Sequence, residues 1–452
     1  MVESREKANN ERTEKSEKEL TAAEGAARAF LQEVGLNKSI ARTVKSAELP
    51  SLHISHDKAS ANHEGHDHKG IRAQADHGAS LEKFEASLKF SMGSTPERQH
   101  LLDGINKSPL VVERKEAMVK NIADLESRAF RDGVPRQEIL DLYKNTSRLL
   151  DSEAGQPLHK IDRAVLADQV IKNAAHPMSI DQGQHNTCNV TTVEARMYSR
   201  YPAEASKLIA DVALTGEFVT AGGSKIKIDK ESFAPDREAL YNPARPGERS
   251  FAGQLFEITA ANIHWQQRLF DNDGHAVDRG DLRYVQIHPL KSIPDDTGER
   301  VRNFHSDDKG VTILGGDGKK ALEPLLPTGP LLNISNEISG KNEANFVFDG
   351  TSNDHRVVSF QSPKQLHEEL IGAKKQFPLI YMVHTANEPF RAESGEKPND
   401  AGGWHVVNII GYNPATKMID MSNQWGPKSD HQISLQALFN ASRSPEDHKN
   451  SK

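Results

Sequence analysis

The chain has 452 residues, with 57 Lys and Arg against 64 Asp and Glu, for a net charge of -7. That length predicts two or three domains, and so mild an acidic balance gives no reason to expect a nucleic-acid partner. A single cysteine excludes an intramolecular disulfide framework and fits a reducing compartment, while 36% hydrophobic residues is low for a chain compact throughout.

Residues 1–80 read as largely disordered. The first 17 are almost all charged or polar. One short amphipathic helix is expected over 20–34, with Leu20, Ala23, Ala27, Phe30, Leu31 and Val34 on its stripe and Gly35 as its stop. The linker that follows is rich in histidine, from His53 to His77, and too poor in apolar residues to bury a core. No run of about 18 apolar residues exists, so no membrane span is expected. The opening segment lacks the apolar core of a secretory signal. A soluble cytoplasmic protein follows as the expectation, or one exported by a route that needs no signal peptide, as a secreted effector would be.

Residues 81–175 read as a module of about three helices. Ser108-Pro109 resembles a helix start, followed by a stripe of Met118, Ile122, Leu125 and Ala129. Pro135 opens a second helix with Ile139, Leu142, Tyr143, Thr146, Leu149 and Leu150 on one face, and Ile161–Lys172 forms a third. Residues 176–440 have a mixed texture. Helices are expected over 188–200, 202–214, 251–265 and 364–375, and strands over 282–287, 378–384, 406–411 and 418–422. A hairpin turns about Gly222-Gly223. Residues 291–345 give no clear pattern, 386–402 form a polar loop, and 441–452 are a tail.

The chemistry concentrates in four residues. Gln182 stands six positions before Cys188, the only cysteine, and His405 and Asn423 follow far downstream. This set supplies an oxyanion donor, a nucleophile, a base and a group that orients the base. A helix starting at Cys188 presents its positive dipole end to the sulfur, and an imidazolium from His405 would pair with the thiolate. Asn423 would fix the ring of His405, and Trp425 would shield that bond from water. The side-chain amide of Gln182 and the backbone N–H of Cys188 would meet the oxyanion. Gln184 competes with Gln182, and Asp420 competes with Asn423. His185 reads as a loop residue lining the cleft and His384 as a structural histidine. The tract His63-Glu-Gly-His66-Asp-His68 reads as a solvated linker rather than a metal site, and Asp271-Asn-Asp273-Gly274 as a turn that lacks the later ligands of a calcium loop. No cofactor and no metal is called for.

The segment Gln182–Cys188 resembles the Gln-x5-Cys entry of papain-like cysteine peptidases. His405 with Gly411-Tyr412 resembles that family's histidine strand, and Asn423-Gln424-Trp425-Gly426 resembles its Asn-Ser-Trp-Gly and the calpain-like Asn-Pro-Trp-Gly. The resemblance covers roughly residues 177–440. It implies an α+β fold, in which a helix carrying Cys188 packs against a β-rich half carrying His405 and Asn423, with a protein or peptide substrate in the cleft between them. The preceding helices would then be an inhibitory or docking segment. Asn189 departs from the family's Trp after the nucleophile, and the long Cys-to-His interval implies insertions over 215–350. The same constellation also supports deamidation or transglutamination, and a binding protein that keeps the scaffold without the activity.

Overall fold

The computed structural model describes residues 95–152, 157–270, 276–287, 298–305, 309–314, 326–395, 397 and 401–446. The expected disordered region 1–80, its helix over 20–34, the histidine tract, the Asp271–Gly274 turn and the end of the tail lie outside these residues. All described residues fall within one compact unit, Ser80–Lys452.

Four helices come first: α1 (Pro96–Lys107), α2 (Val112–Asp132), α3 (Arg136–Asp151) and α4 (Lys160–Ala175). Thr95 caps α1 by accepting from the Arg98 N–H, with Pro96 in the first turn. Ser108 does not open the next helix. Its hydroxyl donates to the Ile105 carbonyl at the C-terminal end of α1, and Pro109, which has no N–H to give, follows that stop. The expected stripe of α2 is buried at Met118, Ile122, Leu125 and Ala129, and Gly133 closes the helix at φ 70°.

Cys188 opens α5 (Cys188–Arg200), followed by α6 (Pro202–Thr215) and the hairpin β1 (Glu217–Val219) and β2 (Lys225–Lys227), in which Phe218 faces Ile226. Next come α7 (Phe251–Trp265) and a three-stranded antiparallel sheet of β3 (Leu282–Gln286), β4 (Glu299–Asn303) and β5 (Val311–Thr312). Sequence gave no pattern for 291–345, which holds β4, β5 and α8 (Thr328–Ser339). The chain continues through β6 (Val347–Phe348), α9 (Pro363–Gly372), β7 (Leu379–His384), α10 (Phe390–Ser394), β8 (Trp404–Asn413), β9 (Met418–Ser422), β10 (His431–Ser434) and α11 (Leu435–Ala441). These last strands form a five-stranded sheet in the order β10-β9-β8-β7-β6, antiparallel except between β6 and β7. The architecture is mixed α and β.

The boundary expected at 175/176 does not separate two packed bodies. Helix α3 packs on α6, and α4 packs on α5 and α7. Buried Arg128 on α2 donates to the carbonyls of Ala174, Tyr198 and Ser199, closing off the C-terminal ends of α4 and α5 together. A guanidinium has five donors, and here they satisfy carbonyls that a helix end leaves open. Helix α5 runs through the centre, buried from Asn189 to Tyr198 and packed against α7, α8 and β8.

Candidate active site

Cys188 is the first residue of α5 and is partly exposed. The helix behind it is anchored by Val190, Val193, Met197 and Tyr198, all fully buried. The backbone N–H groups of Val406 and Asn189 lie close enough to its sulfur to favour the thiolate. Val406 follows His405 on β8, so the start of α5 is seated against the strand that carries the histidine. Farther along, Asn408 Nδ2 on β8 donates to the Thr192 carbonyl on α5 at 3.2 Å.

His405 is buried at the start of β8, and its Nε2 lies 2.8 Å from Asn423 Oδ1. The indole of Trp425 stacks on the imidazole at 4.0 Å and 21°, covering that bond. Gln182 is joined to the same turn, because its backbone N–H donates to the Gln424 carbonyl at 3.0 Å. One Nε2 hydrogen of Gln182 goes to the His185 carbonyl at 2.8 Å, so the second N–H of that amide remains for an oxyanion. The structure therefore bonds His405 to Asn423, ties Gln182 to the turn that follows Asn423, and sets the Cys188 helix against the strand that carries His405.

The rival residues stand elsewhere. Gln184 is exposed, with its backbone N–H directed to Glu238. Asp420 accepts from Gln432 Nε2 at 2.6 Å on the next strand, away from His405. His384 is buried edge-on to Trp404 and accepts from the Ala386 N–H, a structural role. His185 does not line a cleft as expected. It is buried, with Nε2 3.0 Å from Asp236 and Nδ1 3.3 Å from Glu299. Asn189, in the position of the family's Trp, turns inward and donates to the Leu326 carbonyl.

Burial dominates the titration of both reactive groups. It pushes the Cys188 thiol up to about 11, against the Val406 and Asn189 N–H groups, which pull it down. It pushes His405 down to about 4, against the bond to Asn423. Taken singly, each group prefers its neutral form, since desolvation disfavours charge.

Several functional neighbours carry no sequence signal. Asn423 Nδ2 donates to Glu393 at 2.9 Å, and the Asn423 backbone N–H donates to Asp430 at 2.9 Å. Glu393 lies on α10, inside the segment 386–402 expected to be loop. Behind the nucleophile turn, fully buried Arg249 binds Asp236, Glu257 and Glu299 at 2.6, 3.0 and 2.5 Å. Thr191 of α5 donates to Glu257, which ties the nucleophile helix to this cluster. A cavity of about 800 Å³ lies at the other end of α5, lined by Arg128, Arg131, His176, Arg200 and Ile410, and none of the four site residues lines it. Among the described residues Asp278, Asp281 and His305 could share a cation, but they lie in the segments just before β3 and just after β4 and are not among the site residues.

No family model, no curated protein and no solved structure matches the chain.

Proposed function

We propose that the chain is a cysteine-dependent hydrolase on a papain-like scaffold, acting as a peptidase on protein or peptide amides. The observation that supports this most is the bond from His405 to Asn423 beneath Trp425, with the start of the Cys188 helix packed against the strand that carries His405. With Nε2 taken by Asn423, Nδ1 is the ring nitrogen left to act on the thiol. The Cys188 proton passes to Nδ1 as sulfur attacks the substrate carbonyl carbon. The Cys188 N–H and the second Gln182 N–H meet the oxyanion. The proton then goes from Nδ1 to the departing amine, leaving a thioester. Water, deprotonated by the same nitrogen, hydrolyses it and restores the thiol. No cofactor enters these steps.

The thiol–imidazole pair titrates as a unit. Its acid limb should fall near 4, where His405 takes up a proton, rather than near the ordinary histidine value. The test is the pH dependence of Cys188 alkylation by iodoacetamide, read by intact mass, in wild type and His405→Ala. Labelling that persists well below pH 7 and is lost in His405→Ala supports the hydrolase. A second reading, a binding protein on the same scaffold, is favoured by the upward shift of the thiol. It requires labelling that rises only at alkaline pH and is indifferent to His405. Mass spectrometry of treated proteins separates a peptidase, which cuts the backbone, from a deamidase, which turns glutamine into glutamate.

A further inference from the structure

A carboxylate can only accept hydrogen bonds, whereas a side-chain amide has one donating end and one accepting end. Glu393 Oε2 takes the Nδ2 end of Asn423 at 2.9 Å, which turns Oδ1 toward His405 Nε2. An oxygen at that distance requires a proton on Nε2, and Nδ1 is then left with its lone pair. The Asn423 backbone N–H is held by Asp430, but a backbone bond does not choose which end of the amide faces the ring. Were the amide reversed, its NH2 would demand a lone pair on Nε2 and move the ring proton to Nδ1, where the ring could no longer accept the thiol proton.

We propose that Glu393 is a positioning residue that sets the tautomer of His405 through the amide of Asn423. The proposal rests on the hydrolase reading for its importance to catalysis. Glu393 is itself held in place. His431 Nδ1 on β10, which is bonded to the Ser429 carbonyl at 2.9 Å, also lies 3.2 Å from its other oxygen, and its helix is anchored by fully buried Phe390. The charged groups around it are Glu388, which is turned to Arg391, and Asp430 on the far side of Asn423.

Burial raises the Glu393 carboxyl to about 7, with the Asn423 bond opposing and Glu388 adding to the rise. Its protonated form carries an O–H that can be donated to Asn423 Oδ1, so acid removes the preference for the productive orientation. Wild type should therefore show a partial step in Cys188 alkylation near pH 7, with the remaining rate persisting down to the acid limb of His405.

The experiment compares wild type, Glu393→Ala, Glu393→Gln and His405→Ala in two readouts: the pH profile of Cys188 alkylation, and the ring-nitrogen NMR shifts of His405. Glu393→Ala should lower alkylation on the order of tenfold at about pH 8, remove the step, and move His405 from an Nε2–H toward an Nδ1–H pattern. Glu393→Gln should restore part of the rate without the step, because it keeps an accepting oxygen but cannot ionise. An unchanged profile together with an unchanged His405 signature in Glu393→Ala overturns the proposal. Should that variant fail to fold, a persisting step near pH 7 in Glu393→Gln overturns it as well. If wild-type alkylation proves independent of His405, the hydrolase reading falls, and the ring-nitrogen shifts still decide the role of Glu393.

Discussion

Burial makes His405 a weak base in this fold, and the indole of Trp425, stacked on the ring at 4.0 Å, covers one of its faces. Trp425→Ala should admit water to the His405–Asn423 bond, and the histidine should move up from about 4 toward its ordinary value. The acid limb of Cys188 alkylation should then rise by one to two pH units, on the order expected for a partly relieved desolvation. An unmoved limb would mean that strand β8, not the indole, buries the ring. At this scale the sequence was informative about the candidate site: Cys188, His405, Asn423 and Gln182 sit in motifs short enough to read. It was silent about their supports. Glu393, Asp430 and Arg249 are polar residues in segments without periodicity, and only the folded chain brings them to the site. His185 shows the limit well. Beside a nucleophile it read as cleft lining, but three carboxylates on other elements draw it into the interior.

The turn that leads into Cys188 is fastened at both ends by a separate segment. The Gly247 N–H donates to Asp181, and Glu238 accepts from the N–H groups of Gln184 and Arg249. Gly183 sits between them at φ 64°, where a Cβ would lie 1.7 Å from Glu238 Oε2 and 2.9 Å from the Arg249 nitrogen. Gly183→Ala should displace the turn, reduce Cys188 alkylation at least tenfold, and cost roughly 1–2 kcal/mol from the backbone conformation alone. Parallel measurement of Tm and labelling rate checks both. Helices and strands were legible where periodicity was strong, as in α2, α3 and α5, or where an apolar run was bounded, as in β7 and β8. The segment holding β4, β5 and α8 was not, because its Gly, Pro and charged residues mask short strands whose pairing is decided by tertiary contact. Helix α10 was missed for a related reason. Five residues give too little sequence for a period, and its one anchor is Phe390.

At the scale of the whole chain, the helices before residue 176 belong to the same packed unit as the site. A 176–452 fragment would lose the faces that α3 and α4 lay against α6, α5 and α7, and with them the Arg128 bonds. It should unfold cooperatively at a much lower temperature than the full chain, or fail to fold, as read by circular dichroism. A fragment as stable as the parent would restore the idea of a separable inhibitory segment. The buried cluster sets the pH response of stability. Burial and Arg249 both lower His185, yet Glu299 and Asp236 outweigh them and hold it at about 9. A histidine raised in the folded state contributes stability in full below its unfolded value of 6.5, and that contribution fades as pH climbs to about 9. The loss is on the order of 3 kcal/mol. His405, lowered to about 4, acts the other way below 6.5. Urea unfolding from pH 6.5 to 9 should show the decline in wild type and a flatter curve in His185→Gln.

The bond from Asn408 to Thr192 also has a kinetic consequence. It joins residues 216 positions apart, and it stands next to the contact that seats the thiol on the histidine strand. Closing so long a loop carries an entropic cost that must be met before the contact rewards it, so chains built on such pairings fold late and slowly. The pairing of Cys188 with the His405 strand therefore exists only once these two distant segments have met, and no early intermediate can carry it. During refolding from urea, His405-dependent alkylation of Cys188 should return with the last kinetic phase, after helical circular dichroism has recovered. A nascent chain of this design would stay chemically silent until synthesis had passed Asn423.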